Sequence, residues 1–79
     1  MKVYHGRWND SSKEFIAECE TVKDVYEVIN KYTPNNPYIR FTDDTEKHKQ
    51  VIIDYGSWSD FIFIKGVNDI GVFINEKTN

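Results

Sequence analysis

The stretch from Val51 to Ile74, VIIDYGSWSDFIFIKGVNDIGVFI, constrains the fold more than any other part of the chain. Three apolar runs, Val51–Tyr55, Phe61–Ile64 and Val72–Ile74, are separated by GSWSD and by a segment centred on Asn68-Asp69-Ile70-Gly71. β-Branched and aromatic side chains suit a pleated, half-buried surface, whereas Gly, Asn and Asp supply turn conformations. The pattern predicts a three-stranded antiparallel meander on which the rest of the chain packs. Within it Val51, Ile53 and Tyr55 face one way and Ile52 and Asp54 the other, while Phe61 and Phe63 oppose Ile62 and Ile64. A strand that is apolar on both faces belongs at the centre of a sheet, covered on at least one side.

Upstream, Lys2 to Trp8 alternates, with Val3, His5 and Arg7 on one face and Tyr4, Gly6 and Trp8 on the other. Asn9-Asp10-Ser11-Ser12 is a dense turn signal. Lys13 to Glu20 then sets Phe15, Ala17 and Cys19 against Glu14, Ile16, Glu18 and Glu20, so the two runs predict a β-hairpin. Thr21 suits a helix N-cap with Asp24 three residues on, an approximate capping box. Val22, Val25, Tyr26, Ile29 and Tyr32 follow as one helical stripe, and Thr33-Pro34 ends it. Tyr38 to Thr42 reads as a strand with Ile39 and Phe41 on one face. Asp43 to Lys49 carries no apolar residue and reads as an exposed hairpin loop, and the polar tail from Asn75 to Asn79 is expected to fray. The order is β-β-α-β-β-β-β over a single small α+β domain, residues 1–79. It makes one antiparallel sheet with a single helix, about residues 22–32, packed on one face. One helix covers one face only, so the far face must be polar or must meet something.

Composition narrows the function classes. A chain of 79 residues buries only about 60% of its unfolded surface, so its core is modest. No apolar run approaches the roughly 18 residues of a transmembrane helix, and MKVYHGRW lacks the apolar stretch of a secretory signal. Cys19 is the only cysteine. It therefore forms no internal disulfide or cysteine zinc cluster and reads as a small buried hydrophobe, and the expected location is the cytoplasm. The formal net charge of −3 disfavours nonspecific binding to nucleic acid or anionic membranes. Lys outnumbers Arg eight to two, and Asn and Ile are abundant. Such usage points to an AT-rich genome, as in a low-GC bacterium or its phage.

Signals for catalysis, metals and cofactors are poor. His5 and His48 lie in different hairpins, outside any nucleophile, zinc, phosphate-loop or EF-hand pattern. Asp54 and Asp60 flank the Tyr55–Ser59 loop, where a hairpin mouth can bring them near each other, and with one histidine they are the basis of an alternative reading as a small metal-dependent hydrolase. Asp43, Asp44 and Glu46 lack the spaced ligands of a calcium loop. No catalytic residue, metal ligand or cofactor is therefore assigned, and an enzyme is not expected. The aromatic residues carry more. Trp58 at a loop tip, with Tyr55 beside it, and Trp8 at the end of the first strand are candidate partner anchors, because tryptophan buries a large area with few rotatable bonds. Glu14 and Glu18, with Glu20, Asp24 and Glu27, form an acidic set suited to a basic groove on a partner. The reading is a non-enzymatic protein-binding or inhibitor module acting through a sheet face, a sheet edge or the Trp58 loop. A homodimer that pairs its open face or edge is the alternative. Bases stacking on Tyr38, Phe41, Phe61 and Phe63 form a further reading that the acidic balance disfavours.

Overall fold

The computed structural model describes residues 1–8, 13–32, 39–57 and 59–78. In chain order these form β1 (Lys2–Arg7), β2 (Glu14–Glu18), α1 (Val22–Tyr32), β3 (Arg40–Asp44), α2 (Thr45–His48), β4 (Gln50–Asp54), β5 (Asp60–Lys65) and α3 (Gly71–Thr78). The five strands make one sheet in the order β2-β1-β5-β4-β3, with every neighbouring pair antiparallel. β5, apolar on both faces in the sequence, lies in the middle. The expected turn at 9–12, the Thr33-Pro34 stop and loop to Tyr38, and Trp58 lie outside the described residues.

Alternation along each strand sorts the side chains, and residues directly opposite one another share a face. On one face the register aligns Ala17, Val3, Ile64 and Val51 in one row and His5, Ile62, Ile53 and Phe41 in the next. Val25 and Ile29 of α1 and Phe73 of α3 close over these rows, and all three are fully buried. α1 starts where the sequence expects it, since the Asp24 N–H donates to the Thr21 hydroxyl at 3.1 Å. Cys19 is buried in the same core, and burial pushes its thiol pKa up. Among the described residues no helix is long and apolar enough to cross a membrane.

Three expectations need correction. Val72–Ile74 is helix, not strand. After β5 the chain bends at Gly66, with φ of +87°, and the Lys49 carbonyl accepts from the N–H groups of both Gly66 and Val67 at 2.8 and 2.9 Å. This bend carries Val67 into the helix-side core instead of back along the sheet. The Asp69 carboxylate then accepts the Gly71 N–H at 2.8 Å. Phe73 and Ile74 donate to the Ile70 carbonyl at 3.0 and 3.3 Å. Local turn chemistry thus starts a helix where the β propensity of Val, Phe and Ile suggested a strand, and its backbone runs to Thr78 through the tail expected to fray.

The loop from Asp43 to Lys49 is the second correction. It contains the single turn α2, whose first residue, Thr45, is buried. Asp43 Oδ1 accepts from both the N–H and the hydroxyl of Thr45, at 2.9 and 2.8 Å. Lys49 ends the turn in the left-handed region, φ 55°. The third is in β2, where Val3 pairs with Ala17 but Tyr4 pairs with Phe15. Ile16 is an extra residue, a β-bulge, so the alternation assumed from Glu14 to Glu20 switches sides there.

Candidate binding face

The face opposite the helices is built from the other half of each strand. Across it the register aligns Phe15, Tyr4, Phe63, Ile52 and Thr42 in one row, and Glu18, Lys2, Lys65, Gln50 and Asp44 in the next. An apolar row crossing the sheet therefore lies beside a charged one. The Phe15 and Tyr4 rings meet edge to face at 5.5 Å, Phe61 and Phe63 at 6.5 Å, and Trp8 and Phe61 at 5.5 Å. Phe63 and Ile52 at the centre are almost fully buried, at 3% and 4% exposure, whereas Phe15 and Trp8 at the margins are each 52% exposed. The face is thus a partly self-covered apolar floor with two uncovered rings.

Lysines supply part of that cover. The Lys13 ammonium lies 4.5 Å from the centre of the Phe63 ring, and that of Lys65 lies 5.7 Å from the Tyr4 ring. Ring faces attract cations, and a long aliphatic stem covers apolar surface while its charge stays wet. Gly6 makes this possible. A Cβ there would stand 3.0 Å from Lys13 Cγ and 3.3 Å from its Cα, so Lys13 crosses β1 where the strand has no side chain.

A pocket of about 320 Å³ opens on this face, lined by Trp8, Lys13, Ile52, Phe63 and Lys65, with Asp44, His48 and Gln50 at its other side. Asp44 Oδ2 accepts from Gln50 Nε2 at 2.7 Å and pairs with His48 Nδ1 at 2.9 Å. The Gln50 amide, then the His48 bond and charge, hold the Asp44 carboxyl below the usual carboxylate range.

The sequence-derived candidates fall in different places. Trp8 is on the open face, half exposed. Trp58 lies outside the described residues. Tyr55 is partly buried at the end of β4 on the helix side, where its hydroxyl meets His5 Nε2 at 2.7 Å and His5 packs on Tyr32 at 4.9 Å. Burial raises its phenol pKa. Glu14 and Glu18 do not share a face, because the bulge at Ile16 pairs Glu14 with His5 on the helix side and Glu18 with Lys2 on the open side. The proposed acidic patch of strand residues is therefore split.

Asp54 and Asp60 do not converge either. In the alternation of their strands Asp54 goes with Ile52 and Gln50, and Asp60 with Ile62 and Ile64 on the opposite face. Asp54 is occupied by Arg40 at 3.1 Å and by the Gly56 N–H at 2.9 Å. Among the described residues no group of three or more His, Cys, Asp or Glu side chains is placed to hold a metal ion. The four rings considered for base stacking are also separated. Phe41 packs on Phe73 among the helices, Phe61 and Phe63 lie on the open face, and Tyr38 is outside the described residues.

The sequence reading missed Phe15, Lys13 and Lys65 as members of the site. The signal for Phe15 was its place opposite Tyr4, which only the bulged register discloses. Comparison of the chain with protein-family models, with curated proteins and with solved structures finds no match.

Proposed function

We propose that this chain is a non-enzymatic binding module whose open sheet face docks an extended acidic segment of a protein partner. The observation that supports this reading best is the row Phe15–Tyr4–Phe63–Ile52, bordered by Lys2, Lys13 and Lys65, with Phe15 at one end and Trp8 beside it on the same face each half exposed. Rings give a partner apolar area at small entropic cost, and the ammonium groups around them favour a segment with carboxylates. The polar groups nearest the face are already engaged in structural bonds, Asp54 with Arg40 and Asp44 with His48 and Gln50. That suits a surface that holds a partner better than one that turns over a substrate. A buried, free Cys19 suits a reducing compartment, and we place the protein in the cytoplasm.

Selection of a random peptide library on the immobilised protein tests this. Peptides mixing acidic and apolar residues should be enriched. Replacing Trp8 and Phe15 together by Ala should weaken them about 30-fold, the effect of losing a hot-spot anchor. Unaltered binding by a folded Trp8→Ala/Phe15→Ala variant would overturn the proposal. So would retention on single-stranded oligonucleotides in place of peptides, or a dimer in sedimentation that the same double variant dissociates.

A further inference from the structure

We infer that the segment docked on this face lies along β1 and carries two apolar anchors four residues apart, with an acidic residue two positions beyond the anchor at the Tyr4 end. This rests on the open face being the binding surface, and it adds a register to that reading. The rings still open to a partner fall into two pairs. Phe15 with Tyr4 forms one and Trp8 with Phe61 the other, each pair at 5.5 Å, and Phe15 and Trp8 are half exposed. The middle of the apolar row is closed by contrast. Phe63 and Ile52 are almost fully buried, and the Lys13 ammonium already lies 4.5 Å from the centre of the Phe63 ring. The line of contact therefore follows β1 from Tyr4 to Trp8 and does not cross the sheet. Successive residues of a strand rise about 3.3 Å, so four residues separate the two pairs by about 13 Å. An extended segment covers that span with side chains at i and i+4, which point to the same face.

The ground between the pairs and beyond them fixes the remaining positions. Gly6 stands midway, and Lys13 crosses β1 there, its Cγ 3.0 Å from where a Cβ would stand. Lys13 has a further interaction of its own, so it acts as a ridge and not as a free charge. The segment's middle inward position, i+2, must be small to pass over that ridge. A helix, about 10 Å across, would have to straddle it. Beyond Tyr4 on the same face comes Lys2, with Lys65 opposite it, and both are exposed. The Lys65 ammonium leans toward the first pair, 5.7 Å from the centre of the Tyr4 ring. The two lysines stand side by side in their row, with Glu18 on one side and Gln50 and then Asp44 on the other. A carboxylate two positions beyond the first anchor meets both ammonium groups, and Glu18 beside Lys2 keeps the gain modest. An acid between the anchors would sit on the Lys13 stem in place of a small side chain. The face thus fixes the order acid, anchor, anchor, and either backbone direction satisfies it.

The test is a titration of ¹⁵N-labelled protein with peptides of one composition. GDSFSASFG and its reverse, GFSASFSDG, carry the pattern in the two directions; GDSFSFSAG sets its anchors two apart, and GSAFSDSFG puts the acid between them. The proposal expects one patterned peptide to bind about fivefold tighter than either permutation, the effect of seating one more anchor. Saturable shifts should fall on the Trp8 indole N–H and the backbone amides of Tyr4 and Phe61. Trp8→Ala and Phe15→Ala should each weaken that peptide about fivefold, which compounds to the loss expected of the double variant. Lys2→Gln/Lys65→Gln should weaken it about threefold, as two exposed charge contacts predict. A mutant cycle reads the register: replacing the peptide ring far from the acid by Ala should cost nothing further in Trp8→Ala and its full effect in Phe15→Ala. Equal affinity of all four peptides, coupling of that ring to Phe15 in place of Trp8, indifference to the lysine changes or no saturation would each overturn the inference. If library peptides bind the face and are weakened by Trp8→Ala/Phe15→Ala while the patterned peptides show no preference, the register fails and the protein-binding reading stands. Patterned peptides that shift only amides away from this face would overturn both.

Discussion

Replacing Phe73 by Ala tests the part of the fold that turn chemistry decides against β propensity. Phe73 is fully buried, and its ring lies 5.8 Å from that of Phe41 across the helix–sheet boundary. Its carbonyl accepts from the Tyr26 hydroxyl at 3.0 Å, a backbone bond that the variant retains. The substitution therefore isolates the ring. Removing a fully buried ring gives up about 2–3 kcal/mol of transfer free energy. The residual cavity and the lost aromatic pair raise the total to about 3–4 kcal/mol. A chain of 79 residues holds roughly 4–12 kcal/mol of stability in all. Urea unfolding should show the loss directly, and the thermal midpoint should fall by about 15–25 °C. One control separates helix from strand, since Val72 is 45% exposed. In a helix Val72→Ala is neutral or stabilising by a few tenths of a kcal/mol, because Ala is the better helix former; in a strand it is destabilising. A Phe73→Ala cost below about 1 kcal/mol, or a destabilising Val72→Ala, would refute the helix and its place in the core.

Two further outcomes follow from titrating groups. Asp43, through the bonds from Thr45, and Asp44, chiefly through Gln50, have carboxyl pKa values below the ordinary range. A depressed carboxyl contributes stability that is complete above its unfolded value, near about 4, and is lost as pH falls through the folded value. Thermal midpoints measured from pH 5 to pH 2 should therefore drop, and Asp43→Asn/Asp44→Asn should drop less over the same interval; equal slopes would contradict the assignment. Tyr55 is raised by burial, so its contribution is complete below its unfolded value, near about 10, and is lost as pH rises through the folded value. Difference absorbance of wild type against Tyr55→Phe should place the missing phenol above pH 10, and a midpoint at or below 10 would exclude its burial.

Most of the architecture was legible because it rests on local patterns of period two and 3.6. The alternation of Val51–Asp54 and Phe61–Ile64 assigned each side chain to its face, and the stripe from Val22 to Tyr32 matched α1 from end to end. The errors came where geometry overrode propensity. At Val72–Ile74 an Asx turn at Asp69 and the bend at Gly66 set the direction of the chain, and three β-forming residues followed. At Ile16 one extra residue put Glu14 on the face opposite Glu18, and no composition signal marks a bulge. The insertion of β1 between β2 and β5 depends on contacts between the two ends of the chain, which periodicity does not encode. The candidate face was legible as an uncovered face and through Trp8. Its lysines were hidden because isolated lysines resemble ordinary solvated charge until the register stacks them beside rings.

An acidic chain can still present a cationic aromatic surface, because net charge says nothing about how charge is sorted between faces. The bulge puts Glu14 on the helix side, and Asp24 and Glu27 belong to α1, which packs on that same side. On the open side Asp54 is paired with Arg40, and Asp44 is hydrogen-bonded to Gln50 and His48. Lys2 and Lys65 stand in the row beside the apolar one, together with Glu18 and Asp44, and the ammonium groups of Lys13 and Lys65 lie over its rings. Charges farther away than a Debye length, about 8 Å at physiological ionic strength, are largely screened, so the charges bordering this face set its local potential more than acids across the sheet do. The negative total still acts at longer range, where it slows the approach of a polyanion. A long nucleic acid meets that repulsion along its whole length, whereas a short segment with one or two acidic groups meets it only in part. On the binding reading proposed above, local positive charge within a negative total favours a short acidic segment over a long polyanion.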